Sequence, residues 1–426
     1  MWVSTTEKEK WVATNTFSNE RGVEITIGDE IGKPIFGWGC CISELHAMAL
    51  SSLDKDDQKA IFDELFGTDG CGFNYCRLSI GANDFAESWY SYNETDGDYE
   101  MKNFSIQRDK KWIIPTIKEA QKRCSELTFF ASPWSPPTWM KFPKVCNYGR
   151  LVQTDENLKA YALYFRKFVE AYSKEGINIS QIMPQNEFFS DQKFPSCVYN
   201  AEQMENFVSN YLIDELDGVT DIWIGTINAP GLDNCYSTHN SYLNKFMQNE
   251  KIKNNIKGVA FQWAGKASIM PANEDYPELD SINSEWQCGC GDNSWEYAMY
   301  GYEHFHHYFK FGARANVYWN MALDNDGMSS WGWKQNSLIK VENGEYTYTP
   351  DFYMVKHFSH FVKRGAVMLK TEGSFSSNTT VFKNPDGSVI AVVLNPFDEE
   401  KILTIKNQNY ILKPRSFNTM ILEQSV

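Results

Sequence analysis

Two glutamates stand where they could share one reaction. Glu187 follows Met183-Pro184-Gln185-Asn186, and Glu285 follows Ile282-Asn283-Ser284, each at the end of a short apolar run of strand character. The two positions are 98 residues apart. That is three strand–helix units of about 33 residues, roughly the repeat when ~250 residues make eight such units. In a closed barrel the reacting groups sit at the carboxyl ends of strands, so both carboxylates point into one mouth. Two carboxylic acids opposed across a cleft can break a glycosidic bond: one protonates the departing oxygen while the other attacks C1 or activates water. Either residue alone would be an ordinary polar group beyond a strand. The pair at this register carries the chemistry.

Other strand ends supply companions. Tyr75-Cys76-Arg77-Leu78-Ser79-Ile80 places an arginine inside an apolar run, where it requires an acid partner, and Asn83-Asp84-Phe85 follows. A carboxylate nucleophile would fit that need; a structural ion pair with another acid is the alternative. Ala131-Ser132-Pro133-Trp134-Ser135-Pro136-Pro137-Thr138-Trp139 fixes two indoles on a proline-stiffened loop, and Tyr318-Trp319-Asn320 leads towards Trp331-Gly332-Trp333. Indole faces stack on the C–H faces of sugars as they do on other apolar rings, although core packing would also account for them.

The elements that must hold these groups recur in alternation. Eight strand-length runs read Ile35–Cys41, Phe73–Ile80, Leu127–Trp134, Ile179–Asn186, Asp221–Ile227, Gly258–Trp263, Leu279–Glu285 and Ala315–Met321. Helical stretches fall between them, at Ser52–Phe66, Trp112–Arg123, Asp155–Lys174, Ala201–Glu215, Ser241–Lys253 and Ser294–Lys310; Lys266–Pro277, with Pro271 in its middle, reads as loop or short helix. Continuous apolarity marks strands buried on both faces, and eight in alternation predict an α/β (β/α)8 TIM barrel over residues 31–365. From about Thr371 the chain alternates in short runs broken by Asn384-Pro385-Asp386-Gly387 and Asn395-Pro396. Residues 366–426, joined by 1–30, predict a small antiparallel β-sandwich side domain.

Composition narrows the partners. With 40 Lys and Arg against 55 Asp and Glu the net charge is −15, so polyanions such as nucleic acid meet an opposing field. No run of about 18 apolar residues predicts a membrane anchor, and the first residues lack the pattern of a signal peptide. The ten cysteines, several within apolar runs, read as reduced thiols and point to the cytoplasm; the four glycosylation-type triplets at Asn93, Asn103, Asn178 and Asn378 arise readily by chance. His304, His306 and His307 lack an acid or cysteine at ligand spacing, and Cys288-Gly289-Cys290 has the wrong spacing for a metal site, so neither metal nor cofactor is expected. Nucleotide-binding glycine loops and serine elbows are absent.

On these residues the chain resembles glycoside hydrolase family 30, which includes glucosylceramidases, β-glucosidases, endo-β-1,6-glucanases and xylan-active enzymes. The resemblance runs from Gly37-Trp38-Gly39 through Gly81–Phe85, Ala131–Trp139, Gln185-Asn186-Glu187, Ser284-Glu285 and Tyr318–Asp324 to Phe358-Ser359-His360-Phe361. It implies retaining hydrolysis of β-glucosides or β-glucan, β-1,6-linked glucan among the candidates, with xylosides second. Glu187 would be the acid/base and Glu285 the nucleophile. Asn186 would contact the 2-hydroxyl, Arg77 would neighbour the nucleophile, and Asp84 and Trp134 would hold outer hydroxyls. Trp319 would floor the pocket, with Trp263 and Trp331 also binding substrate. Two departures stand out: Phe188 follows Glu187 where many relatives have proline, and strand six ends Gln262-Trp263-Ala264 where several have His-Trp-Tyr. The lost tyrosine would ordinarily orient the nucleophile, so another residue must supply that bond. A non-catalytic sugar-binding barrel is the rival from another class, disfavoured because a binder needs neither carboxylate. Exo or endo action and oligomeric state are not legible in the sequence.

Overall fold

A computed structural model describes residues 2–228 and 242–422. Eight parallel strands close into a barrel in chain order: Gly37–Ile42, Tyr75–Ser79, Thr128–Ser132, Ile179–Ile182, Asp221–Ile227, Ile256–Gln262, Asp280–Glu285 and Ala313–Asn320. All eight expected runs are strands, and five of them stop one to four residues early. Strand four ends at Ile182 rather than Asn186, which leaves Met183–Glu187 as the segment leaving the barrel. The strands are buried almost throughout, as continuous apolarity required. Close approach explains one glycine in the first strand: a β-carbon at Gly39 would lie 2.0 Å from the carbonyl oxygen of Tyr75 in the second.

Helices cover the barrel. Asp155–Lys174 forms as expected, capped by Thr154, and buries Leu158, Tyr161, Phe165, Phe168 and Tyr172 along one face. Trp295–Lys310 is likewise capped by Ser294. The expected helix at 201–215 is interrupted by a π-turn at Val208–Leu212, and that at 241–253 splits into Asn244–Met247 and Glu250–Asn255, with residue 241 outside the described range. Helices Glu44–Ser51 and Pro350–Ser359 escaped the sequence reading, the first because it is only eight residues long. Inside the barrel Tyr75, Phe130, Met183, Trp223, Ile282 and Val317 fill the lumen, so its floor is packed side chain rather than a pore.

Both ends of the chain meet in one nine-stranded sheet. Its order is Val12–Thr14, Trp2–Thr5, Ser416–Leu422, Val389–Asn395, Thr379–Lys383, Val367–Glu372, Val23–Ile31, Lys401–Ile405 and Gln408–Leu412. Trp2 and Tyr410, from strands near opposite ends of that order, pack edge to face with centroids 6.0 Å apart. The sheet therefore folds over on itself into a sandwich around Ile25, Leu369, Val393, Leu403 and Met420. Tyr302 of a barrel helix donates to the carbonyl of Val392 at 2.7 Å, and His357 meets Thr5 Oγ1 at 2.8 Å, which docks the sandwich on the barrel. No helix among the described residues is long and apolar enough to cross a membrane.

Candidate active site

Each carboxylate owes its place to the backbone just beyond a strand. The segment after strand four is clamped from both sides: Asn186 N–H donates to Pro133 O at 2.8 Å and Glu187 N–H to Thr226 O at 3.1 Å. Glu187 sits at φ +50°, in the left-handed region, a conformation costing about 1 kcal/mol for a residue with a β-carbon. That turn aims its side chain across the mouth. Strand seven reaches Glu285 through a bulge. Phe261 pairs with Asn283, but the next residue, Gln262, pairs with Glu285, so Ser284 is the extra residue, its hydroxyl tied to Phe261 O at 2.9 Å.

Arg77 joins the two sides. It is fully buried; one guanidinium nitrogen donates to Glu285 Oε2 at 2.5 Å, and the other to Asn186 Oδ1 at 2.7 Å and Ser132 Oγ at 2.9 Å. The acid partner that its apolar strand demanded is thus Glu285. The guanidinium also lies over Trp134, 4.6 Å from the ring centre. Removing one member of a buried pair leaves the other uncompensated, typically at a cost of about 3–5 kcal/mol. Arg77→Met is therefore expected to lose about 3 kcal/mol of stability at neutral pH and roughly 10²-fold in hydrolysis, read by thermal unfolding and initial rates. A variant with wild-type unfolding and rate would break the link between Arg77 and Glu285.

Glu187 is served by a second arm. Asn228, just past strand five, donates from Nδ2 to Glu187 Oε1 at 3.0 Å, and its own Oδ1 accepts from Ala264 N–H at 3.1 Å. Burial raises the Glu187 carboxyl above its usual range, with hydrogen bonds from Ser190 and Asn228 and the charge of Arg77 pulling the other way. Burial pushes Glu285 up to about 8; Glu187 and Asp84 add to that, and Arg77 opposes it. Burial rather than the facing carboxylate is thus the main cause at Glu187, and Glu285 also departs from the ordinary range. Burial therefore disfavours the charged form of all three carboxylates around this one cation. Of the three, Glu285 is the one in contact with the guanidinium, at 2.5 Å, which favours its charged form.

The walls are aromatic. Trp134 and Trp319 stack with centroids 5.4 Å apart and planes at 27°, both buried, and join Phe85, Phe194, Leu323 and Trp331 in one cluster beyond the strand ends. Trp333 stands edge-on to Trp331 and is exposed. Asp84 is buried beside them: Gln335 Nε2 reaches Oδ2 at 3.4 Å, while Oδ1 has no hydrogen-bond partner in the protein. Burial pushes its carboxyl up to about 7, and Glu187 adds to the shift. One expected aromatic lies elsewhere, and another stands apart from the stacked pair. Trp139 turns inward, its indole N–H bonded to Asn93 O at 3.0 Å and its ring edge-on to Tyr99, because the loop curls into a short 3-10 turn after its prolines. Trp263 opens the next short helix, half-buried; His304 meets its carbonyl oxygen at 3.2 Å, and among the described residues its ring meets neither Trp134 nor Trp319.

The remaining reactive side chains are spent elsewhere. His306 meets Thr380 Oγ1 at 2.9 Å and His307 meets Lys266 O at 2.9 Å, so the three histidines diverge. Nine described cysteines are free thiols; Cys40, Cys41, Cys71, Cys76, Cys197 and Cys288 are buried, whereas Cys290 is exposed and Cys124 and Cys146 are half-buried. Asn228, Thr226 and Gln335 were missed in the sequence. The strand-end rule would have found the first two, since Thr226-Ile227-Asn228 closes strand five. Gln335 gave no such signal, because it lies on a loop beyond strand eight.

Comparison with known proteins meets this geometry. Residues 35–362 match the glycosyl hydrolase family 30 TIM-barrel domain, and residues 365–420 the family 30 beta sandwich domain. The lysosomal acid glucosylceramidase of Mus musculus is 26% identical over 398 residues, covering 87% of this chain and 76% of its own. The endo-beta1,6-glucanase BT3312 superposes with a TM-score of 0.86 at 24% identity, covering 98% of each chain. The catalytic domain of xylanase C from Talaromyces cellulolyticus gives a TM-score of 0.75 at 17% identity, covering 94% of this chain and 100% of that one. With both domains matched and a carboxylate pair at the ends of strands four and seven, the chain belongs to glycosyl hydrolase family 30 and is a retaining O-glycosyl hydrolase.

Proposed function

We propose that the enzyme hydrolyses β-glucosidic bonds, β-1,6-linked glucan among them, with Glu285 as nucleophile and Glu187 as acid/base. The observation that carries this reading is the buried pair of Arg77 and Glu285, tied through Asn186 to the strand that bears Glu187. Glu285, charged beside Arg77, attacks the anomeric carbon while protonated Glu187 gives its proton to the leaving oxygen. Asn186 is fixed by three donors, Arg77, Gln262 and Thr226, so its free amide hydrogens can meet the sugar 2-hydroxyl. Glu187, now ionised, takes a proton from water, and that water releases the sugar from Glu285 with retention.

The preference for glucose rests on Asp84. Its Oδ1 is buried with no partner in the protein, beside the aromatic wall, and a buried acceptor left unpaired costs about 1–3 kcal/mol. A glucosyl unit brings the hydroxymethyl group that a xylosyl unit lacks, so a site built to accept that hydroxyl discriminates against the pentose. The glucosylceramidase and endo-β1,6-glucanase relatives support the same choice, and the looser superposition on a xylanase agrees. Turnover of p-nitrophenyl β-glucoside, β-xyloside, β-galactoside and β-fucoside, with β-1,6-glucan and xylan, tests it. The highest kcat/KM is expected on the glucoside and release of sugar on the β-1,6-glucan; faster cleavage of xyloside and xylan would overturn the glycone.

A further inference from the structure

The sixth strand ends in glutamine, and that side chain is placed among the groups that react. Gln262 is fully buried, and its Nε2 lies 2.9 Å from Glu285 Oε2, 2.6 Å from Asn186 Oδ1 and 2.9 Å from Thr226 Oγ1. The bulge at Ser284 sets it directly opposite Glu285 in the sheet, and Tyr308 fixes its backbone by donating to the carbonyl oxygen at 2.6 Å. We propose that Gln262 is a positioning residue that holds the Glu285 carboxylate charged and aimed, in place of the tyrosine this chain lacks two residues further on. The proposal rests on the reading of Glu285 as nucleophile.

The chemistry of the neighbours fixes the amide's orientation. Asn186 Oδ1 and Glu285 Oε2 can only accept, so the NH2 group must face them; a flipped amide would set oxygen against oxygen. Thr226 spends its own hydroxyl hydrogen on Asn186 Oδ1 at 3.0 Å, so the two amide hydrogens of Gln262 serve Asn186 and Glu285. Arg77 and Gln262 both converge on Oε2 of Glu285, which leaves Oε1 as the attacking atom. The amide has no proton to lose, so this donor stays in place at every working pH, whereas an imidazole there would change charge. A donor to the carboxylate stabilises its charged form and lowers the pH at which it ionises. Gln262 thereby offsets part of the burial that pushes Glu285 up.

The test is the pH profile of kcat and kcat/KM on p-nitrophenyl β-glucoside for the wild type, Gln262→Met and Gln262→His. A hydrogen bond to a charged group is worth roughly 10- to 100-fold, so Gln262→Met is expected to lose that much kcat with KM little changed. Its acid limb should move up by about one pH unit, because the nucleophile ionises later. Gln262→His, which restores a ring N–H, should bring the limb back towards the wild type. An acid limb in folded Gln262→Met that coincides with the wild type would overturn the proposal, since loss of packing alone moves kcat without moving that limb. Should Gln262→Met fail to fold, the isosteric Gln262→Glu is read instead: a second buried acid facing Glu285 must lift the acid limb, and an unmoved limb overturns the proposal equally. A wild type inactive on every glycoside would instead overturn the reading of Glu285 itself, a distinct result.

Discussion

Glu285→Gln is expected to abolish turnover, lowering kcat/KM on p-nitrophenyl β-glucoside by about 10⁴-fold or more, equivalent to some 5.5 kcal/mol of transition-state stabilisation. The reason is specific to the substitution. A neutral amide keeps the volume and can still meet Arg77 and Gln262 by one oxygen, but it cannot form the ester to C1 on which double displacement depends. The fold should survive at some cost in stability, because the amide oxygen still accepts from Arg77 while the buried guanidinium loses its counter-charge. Cooperative thermal unfolding a few degrees below the wild-type temperature, together with lost turnover, is the expected combination. The smaller Glu285→Ala adds a stereochemical reading: azide would attack C1 from the vacated side and give the product of inverted configuration. Near-normal turnover by Glu285→Gln would remove the residue from the mechanism.

Glu187→Ala is expected to show a different pattern. General acid–base catalysis contributes about 10²–10⁴-fold, and both chemical steps use it, but a good leaving group needs no proton in the first. On dinitrophenyl β-glucoside the variant should therefore form the glycosyl-enzyme and then stall, giving a burst of phenol and low KM. On an alkyl glucoside it should lose about 10³-fold or more in kcat/KM. Azide should restore turnover and give the product of retained configuration, since it enters on the face opposite Glu285. The pH profile separates the roles as well. On the proposed roles activity requires Glu285 charged and Glu187 protonated, so the wild-type profile is expected to be a bell whose alkaline limb follows loss of the Glu187 proton. Burial holds that proton to higher pH than an exposed glutamate would. The alkaline limb should vanish in Glu187→Ala while the acid limb remains, and an alkaline limb that persists would place the proton donor elsewhere.

These two outcomes depend on residues of which only some were visible in the chain. Glu187 and Glu285 could be chosen from 55 acids because barrel strands are short, apolar and regularly spaced, and because such a barrel carries its reacting groups at one end of every strand. Arg77 was legible for a related reason. A charge inside an apolar strand must be paired, and its partner had to come from another strand end. Asp84, Asn186, Trp134 and Trp319 lie next to those same ends and gather around the pair. Trp139 was drawn in by the same rule and misplaced by it. Proximity in sequence to a strand end does not fix the direction of a side chain once the backbone turns into a helix.

What the sequence by itself determined is the barrel, the sandwich made from both chain ends, and the two carboxylates with their arginine. Apolar periodicity and strand spacing suffice for these, since each follows from burying one kind of surface. What only the tertiary structure decided is how the carboxylates are held. The bulge that sets Glu285 against Gln262, the arm from Ala264 through Asn228 to Glu187 and the bond from Gln262 to Asn186 are contacts between segments 23 to 76 residues apart. No local propensity encodes them. They arise because the eight strands close, which forces polar groups at neighbouring strand ends into one dry space where each must find a partner.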